Sequence, residues 1–234
     1  MIEGDVNENY DLCEGIWFDK KQRTLIDKED GKKQSLDINK IDDKIDDKIL
    51  ILKREIESWL FHPMIKLVED DINNKSKYHP FKNAIFVLYG IFSYIEKIQR
   101  YKDGKPYKSK DTESTKILTF GFKKIFKPDE GTEFGNGKIE SILESTRHSM
   151  MHSGNVGDKT LLNYDYENAV PVIYIGSNKD LRKIELNPIS MLKEIVGDFD
   201  EYIKSLNDAS KTDLRDNFEK VFNAVYSDEI TQLS

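Results

Sequence analysis

From Ile41 onward, apolar residues recur at three- and four-residue steps, the spacing of amphipathic helices. Ile41, Ile45, Ile49, Leu52, Ile56, Trp59 and Leu60 form the first stripe, with Asp and Lys filling the solvated face at four-residue spacing. Pro63 kinks this helix or begins a new one, since it has no N–H to donate, and the pattern resumes over 64–72. The most apolar stretch, 81–101, sets Ile85, Leu88, Phe92, Ile95 and Ile98 on one face, widened by Val87, Ile91 and Tyr94. So broad a stripe marks a central helix. Residues 102–111, with Gly104 and Pro106, read as an exposed loop, and a helix follows over 111–126, capped by Asp111 or Thr112. Glycine-rich residues 128–137 then lead into a helix whose Ile139, Ile142, Leu143, Thr146 and Met150 share a face. Gly154 and Asn155 stop it, because both tolerate the left-handed backbone that closes a helix.

Beyond Gly154 the period changes. Residues 170–187 alternate as a two-stranded hairpin turning at 176–180, with Ile184 and Leu186 set among charged neighbours. Asn187-Pro188 ends the hairpin and starts a helix over 189–206. A last helix, 211–229, carries Leu214, Phe218, Val221, Phe222 and Val225 in register. Residues 1–40 are an N-terminal arm, irregular or built of short strands near 14–18 and 23–26, in which Trp17 and Phe18 need covering by the helical body or by a partner subunit. The expected architecture is mainly α: an antiparallel helical bundle over 41–234 with a small β-hairpin inserted after the 139–153 helix.

Composition refines this picture in three places. At 234 residues, 38% hydrophobic and 34% charged, the chain can bury one substantial core beneath a polar surface. One cysteine, Cys13, excludes an internal disulfide and fits a reducing compartment; with no His or Lys close by in sequence it reads as a small semi-buried residue. The acidic start lacks the basic and apolar runs of a signal peptide, and the apolar stretch 84–95 is too short for a bilayer, so a cytoplasmic protein with no membrane partner is expected. A net charge of −7 argues against broad nucleic-acid binding driven by phosphate neutralisation, but not against a local anion site. The basic exception is 102–127, where eight lysines meet Asp103, Asp111 and Glu113, with Tyr101, Tyr107, Phe120 and Phe122 among them. An RNA-guiding loop that includes Lys105 and Lys108, or an ordinary solvated loop, would both produce this composition.

The candidate chemistry sits in 141–155, which packs Arg147, His148 and His152 into the end of a helix. Arginine offers a fixed fork of donors to a phosphate, and histidine exchanges a proton near neutral pH. RNA carries its own nucleophile, the ribose 2′-hydroxyl, so an anion clamp and a base suffice for transesterification. Five residues along a helix correspond to about 500 degrees, so Arg147 and His152 diverge by about 140 degrees. Helix-end fraying or a second copy across a two-fold axis would bring such groups together. His148 and His152 share a face and have the spacing of a helical metal pair, but lack a carboxylate ligand; no metal or other cofactor is expected. The structural alternative pairs Arg147 with Glu144 or Glu140 and leaves His152 bonded to terminal carbonyls.

Arg147-His148-Ser149-Met150-Met151-His152 resembles the Arg-x4-His motif of the HEPN superfamily, in a late helix of a helical unit, with a polar residue after the arginine and Gly154 two positions past the histidine. The resemblance spans about residues 45–206. It implies a HEPN-like bundle and a homodimeric, metal-independent endoribonuclease of toxin or defence type, with an antitoxin protein as a further partner. In that role Arg147 stabilises the phosphate and His152 moves the proton. Glu96 and His148 support them, and Ser149 and Ser153 contact the RNA. Many members of the superfamily only bind, so a catalytically silent dimer that holds a nucleotide or a protein is the alternative. Glu96 itself either orients Arg147 or His152, or pairs with Arg100 four residues on. His62 and His79, each before a proline, read as turn histidines.

Overall fold

The computed structural model describes residues 9–13, 16–19, 24–27, 34–37, 45–73, 82–108, 112–127, 136–163, 170–177 and 180–233. In chain order they form β1 (Asn9–Cys13), β2 (Ile16–Asp19), β3 (Thr24–Asp27), β4 (Gln34–Asp37), α1 (Ile45–Ile56), a π-helical turn (Glu57–Phe61), α2 (His62–Asn73), α3 (Ala84–Asp103), α4 (Ser114–Ile125) and α5 (Asn136–Ser153). β5 (Thr160–Leu162), β6 (Val172–Ser177), β7 (Asp180–Leu186), α6 (Pro188–Asn207) and α7 (Thr212–Leu233) complete them. The protein is mainly helical. It falls into two compact units: Met1–His62 with Asp103–Pro106 and Ile203–Ser234, and Pro63–Lys102 with Tyr107–Tyr202. Among the described residues, no helix is long and apolar enough to cross a membrane.

In the first unit β1 to β4 pair in sequence order, each antiparallel to the next. The register aligns Tyr10, Phe18, Leu25 and Leu36 in one cross-strand row, and β1 runs against α1. The side chains of Cys13, Trp17 and Phe18 lie outside the described residues. α1 buries Ile49, Leu52 and Ile56 on the stripe its spacing predicts. The stripe then breaks at the π-helical turn, where the His62 N–H donates to the Glu57 carbonyl five residues back. One extra residue in the turn rotates everything after it by about 100 degrees. Phe61 therefore takes the buried position that α spacing assigns to Leu60, and Trp59 is left 57% exposed. Pro63 gives the cause: it cannot bond to the carbonyl of residue 59, and a wider turn relieves the clash of its ring. The expected burial of Trp59 and Leu60 is corrected accordingly, and His62 opens α2 instead of sitting in a turn. His79 lies outside the described residues. α7 buries Phe218, Val221, Phe222 and Tyr226, while Leu214 and Val225 are half-buried.

The second unit is organised around α3, which buries Val87, Leu88, Ile91, Phe92, Tyr94, Ile95 and Ile98; Ile85 is only half-buried. Gly121 lets α4 approach α3 closely, since a Cβ there would come within 2.8 Å of Ile95 Cγ2. Phe122 meets Phe92 edge to face at 6.3 Å, an arrangement that suits the ring quadrupoles. α4 begins at Ser114, later than its apolar pattern alone suggests. The expected cap is corrected: Glu113 occupies the N-cap without a side-chain cap bond, and Asp111 lies outside the described residues.

α5 buries Ile139, Ile142, Leu143, Thr146 and Met150, the face its spacing predicts. It stays helical to Ser153 and ends at Gly154, whose φ of 64 degrees is left-handed, while Asn155 Oδ1 accepts the Gly157 N–H at 2.9 Å. Strands β6 and β7 make the expected hairpin. Gly176 sits at its register shift, where a Cβ would collide with the Asp180 carbonyl oxygen. The sheet has a third strand that the sequence pattern does not reveal: β5 pairs parallel to β7, giving the order β5-β7-β6. Its Thr160 hydroxyl lies 2.6 Å from that of Thr146, so two buried hydroxyls satisfy each other between strand and α5. Fully buried Asn187 caps α6, its Oδ1 accepting the Ile189 and Ser190 N–H groups at 3.1 Å, with Pro188 at the first helical position.

Candidate functional site

α3 and α5 lie in the same unit, and one carboxylate connects them. Glu96 Oε1 accepts two bonds from Arg100, from Nε at 3.2 Å and from Nη2 at 2.8 Å, and a third from the Ser114 hydroxyl at 2.5 Å. Glu96 Oε2 pairs with Arg147 Nη1 at 3.1 Å. Glu96 thus pairs with both Arg100 and Arg147, each oxygen serving a different arginine. Ser114 also takes a bond from Arg100 Nη2 at 3.0 Å, and the Arg100 guanidinium lies 5.5 Å from the centre of the Tyr107 ring.

Burial grades the three charges. The Glu96 and Arg100 side chains are 12% and 7% exposed, whereas Arg147 is 36% exposed. The Glu96 carboxylate faces two guanidinium groups, and Arg147 is the more exposed of them. Arg147 takes its partner from α3, and not from Glu140 or Glu144 on its own helix. Orientation by a buried, multiply bonded acceptor restricts the guanidinium without consuming its whole fork of donors.

Beside Arg147 on α5, His148 and His152 are exposed, and their rings stand 4.4 Å apart at 44 degrees. Met151, 57% exposed, extends the same solvent-facing band. Because α5 does not fray before Gly154, the divergence of about 140 degrees between Arg147 and His152 persists within one chain. Among the described residues no three His, Cys, Asp or Glu side chains converge as a metal-binding group.

The remaining candidates are scattered. Ser149 is half-buried under the turn after α5, where a Cβ on Gly157 would come 3.0 Å from its hydroxyl. Ser153 is exposed at the helix end, and Lys105 and Lys108 are exposed in the connection between α3 and α4. The pairing of Glu96 with Arg100 follows the four-residue spacing, and sequence reading passes over Ser114, which shares that carboxylate. Lys116, Lys123, Lys124 and Lys127 line a cavity of about 530 Å³ with Phe120. No protein-family model, no curated protein and no solved structure matches the chain.

Proposed function

We propose that the protein is a HEPN-like, metal-independent endoribonuclease that acts as a homodimer. The observation that carries this reading is the two-sided Glu96 carboxylate, which orients Arg147 from a neighbouring helix next to the exposed imidazoles of His148 and His152. A structural arginine on α5 would be served as well by Glu144; a clamp for phosphate needs a fixed direction and an open flank.

In the proposed reaction the outward donors of Arg147 hold the non-bridging oxygens of the scissile phosphate. His152 removes the 2′-hydroxyl proton, the 2′ oxygen forms a bond to phosphorus, and the bond from phosphorus to the 5′ oxygen breaks. His148 returns a proton to that leaving oxygen, so the products are a 2′,3′-cyclic phosphate and a 5′-hydroxyl. The divergence of Arg147 from His152 on one helix favours a second copy, whose α5 supplies the missing group across a two-fold axis. A toxin or defence setting, with an antitoxin protein as partner, rests on the motif's resemblance alone.

One observation favours the silent binding module. Arg147 already has a carboxylate partner, so its charge is partly met without substrate. The two readings separate on incubating purified protein with mixed RNA in EDTA, beside Arg147→Ala and His152→Ala. The nuclease predicts cleavage by the unaltered chain alone, leaving cyclic phosphate ends. Intact RNA at concentrations where the protein is dimeric would leave the binding module as the better account.

A further inference from the structure

The cavity of about 530 Å³ is in the same unit, between α4 and the start of α5. Lys116, Phe120, Lys123 and Lys124 share one face of α4, Lys127 follows its last turn, and Glu140 of α5 is the only carboxylate in the lining among the described residues. Lysine-rich helices usually just face water. Three features set this one apart. The lysines line a concavity of a size that suits a nucleotide. Phe120, a large ring at its mouth, is 49% exposed, with Lys124 Nζ 4.4 Å from its centre. Thr119, also in the wall, is 4% exposed and its hydroxyl has no hydrogen-bond partner among the described residues. A buried hydroxyl left unmet is unusual in a native fold.

We infer that this pocket binds single-stranded nucleic acid, with backbone phosphates on Lys116, Lys123 and Lys127 and a base stacked on Phe120. From Lys116 to Lys124 the helix rises about 12 Å, which is more than a single phosphate group spans. The inference deepens the nuclease reading and rests on it for direction. Glu140 precedes Arg147 by seven residues, two turns on the same face of α5 and about 10 Å along its axis. At the other edge Lys116 follows Ser114, which bonds Glu96. A strand leaving the pocket along α5 therefore arrives at Arg147.

The test uses the full chain and a fluorescein-labelled 12-nucleotide 2′-O-methyl RNA, which cannot be cleaved by its own 2′ oxygen, read by anisotropy across a salt series. The strand should bind. Lys116→Gln/Lys123→Gln/Lys127→Gln should weaken binding at least tenfold at low salt and lower the slope of log K against log salt by about 2, near 0.7 per lost phosphate contact. Phe120→Ala should weaken it about fivefold or more with the slope unchanged. No binding by the unaltered chain, or a triple variant with its affinity and slope, overturns the proposal. So does a nucleoside triphosphate that binds as tightly as the strand, since the pocket would then hold a nucleotide only. A strand that binds here while RNA is never cleaved supports the pocket and removes the nuclease. Cleavage with Michaelis constant and salt dependence unchanged by the triple variant does the reverse.

Discussion

Each of the two units buries a cation against a carboxylate, and they do it differently. In the first, Lys48 of α1 is 1% exposed and donates to Glu219 of α7 at 2.8 Å, one charge for one charge. In the second, Glu96 holds Arg100 and Arg147 together, with Ser114 as a further donor. A closed pair has nothing to offer a ligand, and its partners suffice to explain it. An acid shared by two arginines, one of them partly exposed, leaves donors of the exposed arginine within reach of a ligand. That exposure separates a structural pair from a candidate site.

The largest effect expected is from Glu96→Ala. It removes the carboxylate that faces both Arg100 and Arg147 and leaves two guanidinium groups close together, so urea unfolding should show a loss of about 3–5 kcal/mol. In the first unit Glu219→Ala should cost about 3 kcal/mol, because Lys48 has no access to water. Lys48→Met should cost under about 1 kcal/mol, since Glu219, 33% exposed, can be rehydrated. If Lys48→Met proved as damaging as Glu219→Ala, the pair would not be the simple closed contact described.

Burial of neutral polar groups extends the comparison to pH. Tyr94 donates to Asp198 Oδ2 at 2.7 Å, and Lys102 donates to both oxygens of the same carboxylate. Burial first, then the Asp198 charge, pushes the Tyr94 phenol well above its usual range; burial does the same to Tyr174 and, with Asp198, to Tyr202. These phenols stay neutral in the folded chain while they ionise in the unfolded chain above about pH 10. The unfolded state then binds fewer protons, so stability must fall as pH rises past that point, by about 1.4 kcal/mol per pH unit for each such phenol. Tyr94→Phe should cost about 1 kcal/mol at neutral pH and remove one phenol's share of the alkaline slope. An unchanged slope would show that Tyr94 ionises in the folded protein.

Much of this was legible in the sequence where a single period governs. The buried faces of α3 and α5 follow from a 3.6-residue repeat, and Asn187-Pro188 announces α6 by local chemistry alone. Legibility fails where the determinant is distant or breaks the period. The π-helical turn before Pro63 adds one residue and turns Trp59 to solvent, which no regular repeat anticipates. β5 is three residues long and pairs with a strand more than twenty positions away, too little pattern at too great a separation. At the site, Arg147, His148 and His152 stand out as residue types, whereas Glu96 is pointed to only by the resemblance; that it reaches Arg147 is a matter of packing. Arg100 follows from its four-residue spacing to Glu96, whereas Ser114 completes that carboxylate through packing, which sequence spacing does not encode. The pocket lysines were visible as a basic stretch, but the concavity that distinguishes them from a solvated face is a tertiary property.

Arg147→Ala should change stability least, and it tests the contrast most directly. With Arg147 removed, Glu96 keeps both bonds from Arg100 and the one from Ser114, and Arg147 is exposed enough for water to have screened its pairing. The unfolding free energy should therefore move by less than about 1 kcal/mol. On the nuclease proposal, RNA cleavage should fall by about a hundredfold or more, the loss typical of removing one donor to a developing oxyanion. Arg147→Lys should keep the stability and recover only part of the activity, because a lysine supplies charge without the planar fork. Should Arg147→Ala unfold the protein as readily as Glu96→Ala, Arg147 would be one more structural cation, and the second unit would hold a closed cluster as the first does.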